Sequence, residues 1–226
     1  MNEIIFTFHV IVIAAGSLFA LFLGKEALAS FIVLLGILSN LFVTKQIVLF
    51  GLTVTSSDAF AVGGILGLNL MQEYFGKQAA EKTIRLSLVI MLFYLLATLI
   101  HVWYAPAPAD IMHPHFVKIF ELMPRITISS LFVYFVVQSL DTHLYGFLHK
   151  IFHGRYLIAR SATSLIISQC IDTALFSVLA LYGVVESIMH IMIVSLIIKL
   201  VVIALSVPFV AWSKKIITPQ PSSRAS

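Results

Sequence analysis

The sequence predicts an all-α integral membrane protein, a polytopic helical bundle. Three observations carry that expectation. Of 226 residues, 60% are hydrophobic and only 11% are charged, against about 45–50% apolar and 25% charged in an ordinary globular chain. Mean hydropathy is +1.05. Seven stretches are long enough to cross a bilayer, for which about 20 apolar residues are needed: Ile4 to Leu23, Ala27 to Phe50, Ser56 to Phe75, Ile84 to Tyr104, Pro124 to Leu148, Arg160 to Gly183 and Glu186 to Trp212. They occupy most of the chain, so residues 1–216 read as one transmembrane domain with no separate soluble part.

The first stretch has an acidic start at Glu3, no basic leader and no small-residue cleavage motif before Lys25. It reads as a retained helix, residues 1–26 in all, and not as a signal peptide. The second carries Asn40 and Thr44 one turn apart, followed by Lys45. In the third, Gly63, Gly64 and Gly67 supply a Gly-x-x-x-Gly face that lets backbones approach closely, either within the bundle or at a homodimer seam. Asn69, Gln72 and Glu73 follow at i, i+3, i+4 and share one helix face near its basic-flanked end.

Between the fourth and fifth stretches lies the one long connection, Ala105 to Met123, with Pro106, Pro108 and the run His113-Pro114-His115. With Asp110 this provides too few ligands, at no recognised spacing, for a zinc site, so a solvated loop is expected and no metal. Arg125 opens the fifth stretch, in which Tyr134, Gln138 and Asp141 lie within two turns. In the sixth, Gln169, Asp172 and Thr173 repeat the i, i+3, i+4 spacing, and in the seventh Ser195 and Lys199 are i, i+4. Residues 217–226, with Pro219, Pro221 and three serines, read as a disordered tail.

Ten of the fourteen basic residues fall on one side: Lys25, then Lys77, Lys82 and Arg85, then Lys150, Arg155 and Arg160, then Lys214, Lys215 and Arg224. Lys118 and Arg125 fall on the other, and Lys45 and Lys199 are placed within spans. The positive-inside rule then puts the C-terminus in the cytoplasm and the N-terminus outside. The formal charge of +4 is explained by topology and gives no support for a nucleic-acid partner. Cys170 is the sole cysteine and lies inside a span, so neither disulfides nor cysteine-based metal sites are expected.

Asp172 and Lys199 sit near the middle of adjacent apolar runs. A charge at the centre of a spanning helix costs about 2.5–3.5 kcal/mol on insertion scales, so such residues pair, face water or serve transport. Two readings stay open: a structural pair that fixes the register of two helices, or part of the wall of a substrate cavity. Polar faces on five of the seven stretches favour a cavity for a ligand with amide-type hydrogen-bonding edges. No Gly-x-x-x-x-Gly-Lys-Ser/Thr loop, His-Glu-x-x-His or Gly-x-Ser-x-Gly motif occurs, so no ATP hydrolysis, enzymatic activity or cofactor is expected.

The stretch from Leu38 to Pro208 resembles the queuosine precursor transporters, also called the putative vitamin uptake transporter family. The resemblance rests on Ser39-Asn40, on Asn69 through Gly76 (NLMQEYFG) with the basic cluster after it, on Arg125 through Asp141 (RITISSLFVYFVVQSLD), on Asp172-Thr173, and on Lys199 followed by Pro208. It implies six core helices similar to the membrane-embedded substrate-binding subunits of energy-coupling-factor vitamin transporters, with Ile4 to Leu23 as an extra N-terminal helix. It also implies inner-membrane uptake of 7-deazaguanine bases or queuine for tRNA modification. The alternative is the substrate-capture subunit of an ATP-driven transporter for another small heterocycle.

On that resemblance the substrate-site set is Asn40, Asn69, Gln72, Glu73, Arg125, Tyr134, Gln138, Asp141, Gln169, Asp172 and Lys199. Asp172 and Glu73 would recognise the ligand, and Asn40, Gln138 and Gln169 would meet the heterocycle edge. Lys199 would balance Asp172, with Tyr134, Phe132 and Phe176 available for stacking. Two positions depart from the family pattern: Asn69 stands where members often carry Asp, and Gln169 where Asn is common. The first change removes a charge and leaves Glu73 as the nearby acid.

Overall fold

The computed structural model describes residues 1–43, 45–120, 124–153, 155–182 and 188–216. Thr44, Glu121 to Met123, Glu186 at the head of the seventh stretch, and the tail 217–226 lie outside the described residues. Eight α-helices and one hairpin make up the described fold: α1 (Asn2–Leu23), α2 (Lys25–Phe42), β1 (Gln46–Leu49), β2 (Leu52–Thr55), α3 (Asp58–Phe75), α4 (Lys77–Trp103), α5 (His113–Phe120), α6 (Pro124–Ile151), α7 (Leu157–Phe176) and α8 (Ile188–Ile216). A π-helical turn, Ser177–Leu181, continues α7. The protein is thus an all-α multi-pass membrane protein with a single small sheet among the described residues.

Seven of these helices are long, one for each predicted span. Five are apolar enough over their length to cross a membrane: α1, α2, α4, α7 with its continuation to Ala180, and α8. α3 and α6 fall short in hydropathy because they carry Asp58, Asn69, Gln72 and Glu73, and Gln138, Asp141, Thr142 and His143, respectively. Apart from His143, which is exposed, these polar residues are buried or half-buried. α3 packs against α1, α2, α4, α6, α7 and α8, which makes it the central helix. On α6, Ile128, Phe132, Phe135, Leu140, Phe147 and Ile151 form the exposed apolar stripe, while Gln138, Asp141 and Thr142 are buried. This is the pattern required of a helix with lipid on one face and protein on the other.

The glycine face of α3 packs inside the bundle. A Cβ on Gly63 would sit 2.4 Å from Ile13 Cγ2 of α1, and one on Gly67 would sit 2.8 Å from Ile32 Cγ1 of α2. These two glycines therefore seat α1 and α2 on α3. The N-terminal helix is an integral part of the core, with Phe6, Val10 and Ile13 in the same apolar cluster as Ala59, Val62, Val194 and Ile198.

The second stretch departs from expectation. The helix stops at Phe42, and Gln46 to Thr55 form an antiparallel hairpin in place of the last two helical turns, with Gln46 opposite Thr55 and Leu49 opposite Leu52. Phe50 and Gly51 both have positive φ, 52° and 78°, the geometry of a two-residue hairpin whose twist matches its strands. Lys45 is accordingly exposed at the base of the hairpin and not within a span. Leu49 and Val54 are buried in the core cluster, so the hairpin is wedged between α1 and α8. Two smaller differences concern helix limits: α4 begins at Lys77, and α5 occupies part of the 105–123 connection.

Asn2 Nδ2 donates to the carbonyl of Val48 at 3.0 Å, and the amide of Phe50 donates to Glu3 at 3.1 Å, so the start of α1 and the hairpin share one end of the bundle. The start of α3 lies there too. The opposite end gathers the close of α3 and of α8, where the hydroxyls of Tyr74 and Ser213 hydrogen-bond at 2.9 Å.

Candidate functional site

Three polar groups occupy successive levels along α3. At the hairpin end, Lys199 of α8 donates through Nζ to Asp172 Oδ2 of α7 at 2.5 Å and to Thr173 Oγ1 at 3.1 Å. The same nitrogen stands 4.0 Å from Asp58 Oδ1 at the first position of α3. Ser195, one turn before Lys199, donates to the two Asp58 oxygens at 3.4 and 3.3 Å. The side chains of Asp58 and Lys199 are each 5% exposed and that of Asp172 is 22% exposed.

At the opposite end, Glu73 closes α3 and is held from two helices. Arg160 of α7 donates through Nη2 to Glu73 Oε1 at 3.0 Å, and the Tyr145 hydroxyl of α6 donates to Oε2 at 3.0 Å. Arg160 also donates to His149 Nδ1 at 2.5 Å and to the Arg155 carbonyl at 2.9 Å, and its guanidinium lies 5.3 Å from the Tyr145 ring centre. Arg160, counted from the sequence only among the basic residues of one side, is fully buried. A cation this deep is held by its partners, and their loss would leave a bare charge in a medium of low dielectric constant.

Between these levels lies a layer of neutral amides and one acid, contributed by α3, α6 and α7. Asp141 Oδ1 accepts from Ser164 and Ser168 of α7, each at 2.6 Å, while its Oδ2 has no partner among the described residues. Both side-chain amide atoms of Asn69 and of Gln169 are buried without a partner, as are Gln138 Oε1 and Gln72 Oε1. Asn69 and Gln138 are 2% exposed and Gln169 is 0% exposed. Gln138 faces Gly64, where a Cβ would stand in ordinary contact with Nε2 at 3.9 Å. Tyr134 brings its hydroxyl beside Gln138 and Ser87.

Unpaired buried polar groups are rare because each costs about 1–3 kcal/mol. Four amide side chains and a carboxylate oxygen in one layer therefore have the chemistry of a surface that reads the hydrogen-bonding edge of a flat polar ligand. The donors and acceptors are mixed, and none of the four amides carries a charge.

The predicted residues divide accordingly. Asn69, Gln138, Asp141 and Gln169 are buried at middle depth on α3, α6 and α7 with Tyr134 beside Gln138, and Gln72 lies at the inner edge, where its amide nitrogen faces Gly146 beside Tyr145. Asp172 and Lys199 are joined at the hairpin end, and Glu73 is engaged at the other. Two predicted residues stand apart. Asn40 donates to Gly36 within its own helix at 3.1 Å and borders a shallow cleft with Tyr94, Thr98, Ile119 and Phe120. Arg125 is exposed, and donates to the carbonyls of Leu179 and Tyr182 at 3.2 and 2.9 Å, which satisfies the end of the π turn. Of the aromatic rings, Phe132 is 55% exposed on the outward stripe of α6, while Phe176 packs on the core.

Asp58, Arg160, Tyr145, Ser164 and Ser168 were not singled out from the sequence. A signal existed for some of them. Ser161, Ser164 and Ser168 make a hydroxyl stripe at helical spacing along the sixth stretch, and Asp58 is an acid in the first turn of a run that is otherwise apolar as far as Leu68.

Comparison with known proteins gives a consistent result. A family model described as putative vitamin uptake transporter matches residues 59–213, from the first turn of α3 nearly to the end of α8. A probable queuosine precursor transporter of Bacillus subtilis (strain 168) is 30% identical over 200 residues, covering 86% of each chain. No solved structure matches.

Proposed function

Because this chain belongs to the putative vitamin uptake transporter family, and is therefore a membrane transporter and not an enzyme, we propose that it imports queuosine precursors. These are 7-deazaguanine bases or queuine, taken up across the cell inner membrane for tRNA modification. The observation that carries the reading is the buried set of Asn69, Gln72, Gln138, Asp141 and Gln169, in which both amide atoms of Asn69 and Gln169, Oε1 of Gln72 and Gln138, and Oδ2 of Asp141 lack partners among the described residues. A 7-deazaguanine offers a ring carbonyl, a ring N–H and an exocyclic amine along one edge. Asn and Gln pair with such edges through one donor and one acceptor, as they do with purines in nucleic acids. Asp141, with Oδ1 fixed by two serines, keeps Oδ2 for the ligand's N–H groups. Tyr134 supplies the ring nearest the layer for stacking.

Asp172, the most exposed carboxylate of the hairpin-end group, borders the layer one turn from Gln169, and Lys199 holds it in place. In this reading Glu73 seals the far end with Arg160. Residues 1–216 act as one transport unit, with α1 included. Nine basic residues among the described ones belong to the end opposite the hairpin, against Lys45, Lys118 and Arg125 at the hairpin end, and this imbalance supports the hairpin and the N-terminus outside and the C-terminus in the cytoplasm.

The test uses a strain that can neither make nor import the precursors. Expression of this chain is expected to restore queuosine in tRNA when a precursor is fed. Failure with the nitrile precursor, the aminomethyl precursor and queuine alike would remove this substrate class. Restoration only when coupling subunits are co-expressed would assign the chain to an ATP-driven complex instead.

A further inference from the structure

The charges of the bundle are balanced at one end and unbalanced at the other. Glu73 meets Arg160 one for one. At the hairpin end, two carboxylates, Asp58 and Asp172, face one ammonium, Lys199, which leaves one negative charge uncompensated. Lys199 is committed to Asp172 and Thr173, so the excess falls on Asp58. That side chain is 5% exposed and, among the described residues, keeps the long contacts from Ser195 and the 4.0 Å approach of Lys199. Among the described residues no other Lys or Arg comes within ion-pair distance of either acid. The elements packed around Asp58 bring Lys199 from α8, Asp172 from α7, and His9 from α1, whose ring meets Phe60 edge-on at 4.5 Å. A bare carboxylate at that depth costs several kcal/mol.

A second, independent feature points to a ligand. Gln169 lies one turn before Asp172 on the same face of α7, is fully buried, and has neither amide atom partnered. Oxygen donors at this end thus come from α3 (Asp58), α7 (Asp172, Thr173) and α8 (Ser195), the donor type that suits a small hard cation, with Gln169 one turn away on the face of α7 that bears Asp172.

We infer that Asp58, with Asp172, Lys199, Ser195 and Gln169, forms a binding site for one monovalent cation, a proton or a sodium ion, that crosses the membrane together with the substrate. With the cation bound the group is neutral, and the start of α3 can shift against α7 and α8 without carrying a naked charge through an apolar core. Without it, the uncompensated charge holds those helices in one arrangement. The cation thereby biases a two-state element, as coupling requires. This inference rests on the substrate reading above and adds the energy source to it.

The experiment uses the purified full chain in proteoliposomes with radiolabelled 7-cyano-7-deazaguanine, which is uncharged and so brings no cation of its own. Counterflow without any ion gradient is measured first. Absence of counterflow takes down the substrate reading and this inference with it. A tenfold inward gradient of protons or of sodium, at clamped membrane potential, is then expected to drive accumulation of up to roughly tenfold, and the arm that works identifies the ion. Counterflow without accumulation in either arm overturns the inference while leaving the substrate reading intact. Asp58→Asn is expected to bring the accumulation ratio down to about one while counterflow stays measurable; accumulation at the wild-type level overturns the assignment to Asp58. Should that variant fail to fold, Ser195→Ala takes its place. Loss of its hydrogen bond is expected to move the cation concentration for half-maximal accumulation by roughly two- to tenfold, and an unchanged curve overturns the assignment.

Discussion

Gln169 allows stability and function to be set against each other by one substitution. Its side chain is 0% exposed and neither amide atom has a partner. Gln169→Met keeps the length and approximate volume while removing both polar atoms. In the ligand-free protein the change relieves an unpaired buried amide, a stabilisation of about 1–3 kcal/mol. In the loaded protein it removes two hydrogen bonds to the ligand, each worth about 0.5–1.5 kcal/mol. Together these amount to about 1–3 kcal/mol, or roughly 5- to 150-fold in apparent affinity. The variant is therefore expected to unfold later and transport worse. Unfolding in mild detergent against increasing sodium dodecyl sulfate reads the first effect, and the concentration dependence of precursor uptake reads the second. A variant that unfolds earlier than wild type would show that the amide is engaged by protein, and wild-type uptake would remove Gln169 from the ligand surface. Either result refutes the argument.

Arg160→Met removes the guanidinium from buried Glu73 and leaves it the Tyr145 hydroxyl and His149, 3.4 Å away, so a loss approaching about 3–5 kcal/mol is expected; the double variant Glu73→Gln/Arg160→Met should recover much of it in the same unfolding measurement, and a double variant no better than the single one would refute the pairing. Gly63→Leu drives a side chain into Ile13, which already stands 2.4 Å from where a Cβ would lie, and is expected to cost about 1–3 kcal/mol by overpacking; unchanged unfolding would mean that α1 is not seated on α3. Arg125→Gln removes a cap for two carbonyls on an exposed surface, so a change in uptake KM of less than about twofold is expected, and a large rise in KM would return Arg125 to the ligand set.

The sequence makes some of this arrangement legible and hides the rest for physical reasons. Asp172 and Lys199 stand out because lipid tolerates no isolated charge, so two opposite charges at the middle of adjacent apolar runs imply each other. Gln138, Asp141 and Gln169 stand out through helical spacing, which is independent of how the helices are arranged. Asp58 escapes notice because it sits at the edge of its run, where an acid ordinarily caps a helix in water. Only the hairpin places that edge inside the bundle. The hairpin itself is masked by composition: Gln46-Ile-Val-Leu and Leu-Thr-Val-Thr, joined by Phe50-Gly51, read as the tail of an apolar span unless the β-branched residues are weighed against the helix pattern. Arg160 follows the same rule, since its place among basic residues at the start of an apolar run cannot reveal that Glu73 and Tyr145 reach it from two other helices.

A hydropathy threshold finds the walls of this bundle and misses its centre, and the reason is mechanistic. α3 and α6 fall below the hydropathy of their five neighbours because they carry the residues that occupy the interior. They are stable in a membrane because those neighbours cover their polar residues, while α6 keeps an apolar stripe outward. Burial of that kind leaves each polar group two outcomes: satisfaction by another helix, as for Glu73 and Arg160, or a standing cost, as for Asn69, Gln169 and Asp58. Groups of the first kind hold a bundle together and can be exchanged for apolar residues with little consequence for a ligand. Groups of the second kind only raise the energy of the protein alone. In the proposed reading the difference in partnering, more than polarity or depth, separates the ligand-facing residues of this chain from its structural ones.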